Sequence, residues 1–233
     1  VALTQKGRMP RLLPPRQQMA TAVMAIDAAT RRNLEITAAL DGGREMSLLG
    51  VIDRTLTGAG ARLLAARLTA PLTDPMVIAA RLDMVQWFFT ERDFREQTRQ
   101  TLRACPDIER ALSRLTLDRG GPRDLAAIRD AITRARELKE LLAVSGKSGL
   151  PDELRSVCAG FGDNDVLIER LTQSLGKDLP LLARDGGFIA SGYATDLDEQ
   201  IMARDESRRL IRDLEKRYRE ETGIVVLKLK HNN

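Results

Sequence analysis

Residues 195–222 contain neither glycine nor proline and are crowded with Asp, Glu and Arg, and no other feature of the chain limits its fold as much. A stretch of that kind predicts one helix of about 28 residues, on the order of 42 Å long at about 1.5 Å per residue. Its apolar positions are Leu197 and Ile201, then Leu210, Leu214 and Tyr218, with the charged run Arg204–Arg209 between them. One end can pack on a body while the middle stays solvated, which is the pattern of a protruding strut.

The remaining elements are read from their start and stop signals. Gly7, Pro10, Pro14 and Pro15 lie among basic residues and make the first part of the chain a linker, assigned to residues 1–18. A short helix is expected over 17–27, mixed character over 28–37, and a turn at Asp41-Gly42-Gly43. Ser47 is a capping residue for a short helix to about Arg54, and Gly60 opens another that ends before Pro71. Asp74-Pro75 sets a cap before a first-turn proline, and Ile78, Leu82, Val85 and Phe89 follow at helical spacing, predicting one helix through about Arg103. Further helices are expected at 107–117, from Pro122 to the Ser145–Gly149 loop, at 152–159 and at 164–175.

After Gly223 the period changes to two, with Val225, Leu227 and Leu229 on one face and Val226, Lys228 and Lys230 on the other. This predicts a strand over 224–230. A lone strand is unstable, and nothing earlier supplies a partner, so the rest of the sheet is expected beyond Asn233. A first residue of Val1 rather than Met points the same way, to a chain cut from a longer protein. The expected fold class is all-α: a multi-helical core domain over 19–222 with a protruding helix, then the first strand of a β-rich unit over 223–233.

Aromatic residues make up only 3% of the chain, so Leu, Ile, Val, Ala and Met must build the core, which suits packed helices better than a sandwich or barrel. The net charge of +4 permits a nucleic-acid partner without requiring one. Only seven of the 37 basic residues are lysine; the arginine bias suits phosphate contacts and equally follows from a G+C-rich coding sequence. Cys105 and Cys158 stand alone, which indicates neither a zinc site nor a disulfide framework and fits a reducing cytoplasm. No apolar run reaches the roughly 18–20 residues of a membrane span.

Candidate chemistry is sparse. Gly146-Lys147-Ser148 has the tail of a phosphate-binding loop, but Leu141 stands where its first glycine belongs and the segment follows a helix. His231 is the only histidine, which removes nucleophile–histidine arrangements from the rest of the chain. Phe94-Arg95-Glu96 has the Phe-x-Glu form of a minor-groove wedge, yet it lies in a helical segment where a packing Phe is the better reading. The carboxylates sit at helical spacings beside Arg, as solvated pairs do. No catalytic, cofactor-binding or metal-binding residue is assigned. Lys228 and Lys230 share a face and are the candidate DNA contacts, through phosphates, although a solvated strand face would look the same.

Two longer stretches are specific. Met24–Ile36 (MAIDAATRRNLEI) resembles the segment that opens the core domain of the bacterial MutS family of DNA mismatch-repair proteins, and Arg184–Tyr193 (RDGGFIASGY) resembles its later Asp-Gly-Gly-x-Ile-x-x-Gly-Tyr segment. The order of the intervening features is also similar, from Asp53-Arg54-Thr55 through Pro122-Arg123-Asp124-Leu125 to Glu220-Glu221-Thr222-Gly223, so the likeness runs from about Met19 to Asn233. The resemblance implies a helical core whose long lever helix rises to a clamp over DNA, with residues 195–222 as the outgoing lever and 224–230 as the first clamp strand. For the intact protein it implies binding of mismatched double-stranded DNA as a homodimer, coupling to ATP and Mg²⁺ at an ATPase domain outside this chain, a MutL-type partner and a cytoplasmic location. None of the family's catalytic residues has a counterpart here, so neither ATP hydrolysis nor mismatch recognition is expected of the chain alone. Two other readings fit the residues: a free-standing helical module that binds nucleic acid through Arg-rich faces, and a family relative acting outside mismatch repair.

Overall fold

The computed structural model describes residues 22–144 and 149–229, and the described residues form an all-α structure of ten α-helices and one 3-10 turn. The linker assigned to 1–18, the Gly146-Lys147-Ser148 motif, Lys230 and His231 lie outside the described residues. The described residues divide into two compact units, one within residues 22–109 and 131–163 and the other within 110–130 and 164–229.

In the first unit, residues 22–27 form no helix, contrary to the sequence expectation. They run extended, and Val23 makes an antiparallel bridge to Leu72, with the Met24 N–H donating to the Pro71 carbonyl at 2.8 Å. Helix α1 (Ala28–Asn33) starts where the Asp27 carboxylate accepts the Thr30 N–H at 2.9 Å. Helix α2 (Leu48–Ile52) is capped by Ser47, whose Oγ accepts the Gly50 N–H at 3.1 Å. Helix α3 (Gly58–Thr69) begins two residues before Gly60, because the Thr57 hydroxyl supplies the cap. Asp74 caps α4 (Pro75–Thr90), accepting the Met76 N–H at 2.8 Å.

The single long helix expected through Arg103 is two helices, α4 and α5 (Arg92–Arg103), broken at Glu91. No proline or glycine marks this break. Its physical reason is packing: the turn lets Phe94 come back onto Trp87, ring centroids 5.8 Å apart, with Phe88 edge-on to the same indole at 4.8 Å. Trp87, Leu142 and Leu154 are the buried centre of this unit, and Met84, Phe88, Phe94, Leu150 and Cys158 close around them. The stripe Ile78, Leu82, Val85 and Phe89 is on the other side. Phe89 is 65% exposed where Trp87, two residues earlier, is 7% exposed. Nearly every side of α4 is apolar, so periodicity alone does not choose its buried face.

Helix α6 (Ile108–Thr116) and helix α7 (Pro122–Ala143) have residues in both units, and α8 (Asp152–Ala159), entered through Pro151, belongs to the first. Arg62 on α3 reaches Asp107 with both terminal nitrogens, at 2.7 and 2.9 Å, and Glu109 at 2.7 Å, which fixes the entry to α6. In the second unit, Arg114 meets Asp124 at 3.1 Å, and the Asp124 carboxylate also accepts the Gly121 N–H at 2.8 Å, stapling the turn between α6 and α7. Helix α9 (Asp165–Ser174) precedes a bridge between Leu175 and Ile189. Helix α10 (Thr195–Thr222) is the single uninterrupted 28-residue helix expected, and none of its residues is buried.

Candidate nucleic-acid interface

The base of α10 is built by the Arg184–Tyr193 segment. Gly186 (φ +69°) and Gly187 (φ +71°) are both in the left-handed half of the backbone map, and Gly186 adds a ψ of −172°, a combination that essentially only glycine adopts. The double turn brings Phe188 and Ala190 alongside the end of α9: the Gly176 N–H donates to Phe188 O at 2.8 Å, and the Ala190 N–H to Ser174 O at 2.9 Å. Gly192 then donates its N–H to the Asp198 carboxylate at 2.7 Å. Asp198 is in the first turn of α10, where a negative charge also faces the positive end of the helix dipole. This motif is an anchor for the long helix.

Along its length α10 is held by its own side chains. Arg209 pairs with Glu206, Arg217 with Glu221 at helical spacing, and Arg219 with Glu215. Such pairs are worth only tenths of a kcal/mol each in water. The straight-chain residues that dominate the helix lose little rotamer freedom in it, so local propensity sustains what burial does not.

At the far end Gly223 (φ +69°) is a left-handed C-cap, its N–H donating to Arg219 O at 3.0 Å. The strand expected over 224–230 is not formed among the described residues. Residues 224–227 make a turn, the Leu227 N–H donating to Ile224 O at 3.2 Å, and Arg219 Nε donates to Leu227 O at 2.8 Å. A strand needs ladder partners for its backbone groups; none is present among the described residues, and local bonds satisfy them instead. Val225 and Val226 are both more than four-fifths exposed. Lys228 is exposed just past this turn, on irregular backbone.

Elsewhere the functional candidates have packing roles or none. Phe94 of the Phe-x-Glu sequence is turned onto Trp87, and Arg95 donates to Phe88 O at 3.3 Å. Cys105 and Cys158 are free thiols, and burial raises the pKa of each. Among the described residues no group of His, Cys, Asp and Glu side chains could hold a metal ion, and no helix is long and apolar enough to cross a membrane.

Fold and site together define a class: an all-helical domain whose longest element is one charged helix with no buried residue, anchored at its base by a double-glycine turn. The chain belongs to the MutS family, since the family model for MutS domain III matches residues 29–228. It is 49% identical to the DNA mismatch repair protein MutS of Roseobacter denitrificans over 231 residues, which is 99% of this chain and 26% of that protein. The proteins of the same name from Rhodopseudomonas palustris and Ruegeria pomeroyi are also 49% identical over 99% of this chain, which covers 25% and 26% of their lengths. The chain thus spans about a quarter of the length of these relatives.

Proposed function

We propose that this chain is the core and lever segment of a protein that binds mismatched double-stranded DNA as a homodimer and couples that binding to ATP binding and hydrolysis. That the relatives are DNA mismatch repair proteins supports the repair reading. The observation that carries the lever role is α10, a helix with no buried residue, tied at its base through Asp198 and Gly192. A stiff helix fixed at its ends passes rigid-body motion between distant sites, as a two-state coupling requires. In this reading Lys228 and Lys230 meet DNA phosphates beyond the end of the lever, as point charges that position without reading sequence. ATP and Mg²⁺ are bound by other parts of the intact protein, a MutL-type partner acts downstream, and the location is the cytoplasm.

The test is a chimaera in which this chain replaces its counterpart in the full-length Roseobacter denitrificans relative, assayed for suppression of a mutator phenotype. The chimaera is expected to complement. Ser207→Pro in mid-lever is expected to abolish complementation and stimulation of ATP turnover by DNA, while binding to a mismatched duplex persists. A Ser207→Pro chimaera with full coupling would remove the lever from the account.

A further inference from the structure

The charges of α10 are not evenly mixed. Its first nine residues carry Asp196, Asp198 and Glu199 and no base, whereas residues 204–219 hold seven bases against four carboxylates. Four of those bases, Arg204, Arg208, Arg212 and Lys216, are spaced by four and so form one continuous ridge along the helix, about 18 Å from end to end at about 1.5 Å per residue. All four are exposed. Arg204 is held by Asp205 at 2.8 Å. Arg208 and Lys216 make no ion pair among the described residues, and Arg212 donates only to the Arg208 carbonyl, at 3.3 Å, although the helix offers nine carboxylates. The bases off the ridge, Arg209, Arg217 and Arg219, are each paired. The helix thus neutralises its other cations and leaves three of the ridge without a counter-charge.

We infer that this ridge is a docking site for the phosphate backbone of duplex DNA. The choice of DNA rests on the mismatch-repair reading above; the site itself rests on the row of uncompensated cations. A duplex presents about one negative charge per 1.7 Å of axis with both strands counted, so roughly ten phosphates lie along 18 Å of it and those on the near side supply several within reach of the ridge. Three of the four residues are arginine, whose forked guanidinium suits phosphate oxygens. A protein partner fits less well, because interface cores exclude charge and the ridge offers no aromatic or apolar centre of its own. The contact is with backbone alone, so it positions the helix without regard to a mismatch.

The test is fluorescence anisotropy of the full chain with a labelled 20-base-pair duplex, matched and mismatched, between 50 and 200 mM salt. Phosphate contacts by the three uncompensated cations give a slope of about −2.7 in log K against log salt, on the order of a fortyfold loss of affinity over that range. Both duplexes are expected to bind alike. Changing Arg208→Gln or Arg212→Gln is expected to flatten the slope by about 0.9 each. The double variant Arg208→Gln with Arg212→Gln is expected to flatten it by about 1.8, whereas Arg209→Gln with Arg217→Gln removes equal charge from the same helix off the ridge and is expected to leave the slope unchanged, circular dichroism confirming helicity throughout. No duplex binding at 50 mM salt, equal effects of the ridge and off-ridge variants, or tighter binding of poly-L-glutamate than of DNA would each overturn the inference. Any of these outcomes leaves the chimaera experiment, which reads coupling, unaffected.

Discussion

Replacing Leu142 with alanine tests which face of α4 is buried, because Leu142 on α7 is 4% exposed and packs in the cluster centred on Trp87. Truncating a buried leucine costs the lost transfer free energy plus the cavity it leaves, about 2–5 kcal/mol in well-packed cores. With both Trp87 and Leu154 bordering the vacated space, a value of about 3 kcal/mol is expected for Leu142→Ala, a large part of the roughly 5–15 kcal/mol that a domain has. Phe89→Ala, two residues from Trp87 on α4 but solvent-facing, should cost under about 1 kcal/mol despite the larger side chain removed. Trp87 is the only tryptophan, so its emission reports this core directly. Urea unfolding followed by that emission should show a lower midpoint with an unchanged slope for Leu142→Ala, and a near-native curve for Phe89→Ala. Equal destabilisation by the two variants would mean that the Ile78–Phe89 stripe faces the core and that the packing described for α4 is wrong.

Further outcomes follow from single residues. Gly50 lies under the backbone of the preceding turn, where a Cβ would run into the Arg44 carbonyl oxygen and stand 2.8 Å from that of Glu45, so Gly50→Ala should lower the melting temperature although alanine is the better helix former. Gly223→Ala forces a side chain into the left-handed C-cap and should cost about 1 kcal/mol of local helix stability, read as faster amide exchange in the last turns of α10. The Asp53 carboxylate has its pKa lowered by hydrogen bonds from the Thr55 hydroxyl and N–H, so its contribution is present above the ordinary aspartate pKa and fades as pH falls through the lowered folded value; Asp53→Asn should remove that acid-limb dependence from a stability–pH profile. Cys158 has its thiol pKa raised by burial, so at pH 8 its alkylation should lag a small-molecule thiol and reach that rate only on unfolding.

Much of the helical skeleton was legible because its signals are local. Ser47, Asp74-Pro75 and Gly223 terminate helices through their own hydrogen bonds or dihedrals, and α8 and α10 occupy the residues expected for them. What sequence could not give depends on distant partners. The break at Glu91 exists because Phe94 is drawn onto Trp87, and the extended stretch at Val23 because Leu72 is opposite; neither leaves a turn residue behind. The alternation after Gly223 is real, but alternation makes a strand only where a ladder receives it, and Ile224–Leu227 turns instead. Of the two candidate DNA contacts, Lys228 is exposed past that turn and Lys230 lies outside the described residues. The basic ridge was missed because the charged middle of α10 read as solvent-facing, and only the ion-pair pattern separates Arg208, Arg212 and Lys216 from their neutralised neighbours.

The lever account is tested most directly by the distance between spin labels at Glu199 and Glu220, with Cys105 and Cys158 changed to serine. One continuous helix separates these positions by 21 residues, roughly 32 Å at 1.5 Å per residue, and pulsed dipolar spectroscopy should return a single narrow distribution near that value. A broad distribution, or a main peak below about 25 Å, which the helical rise does not allow, would show that α10 bends or melts in its charged middle and cannot carry force.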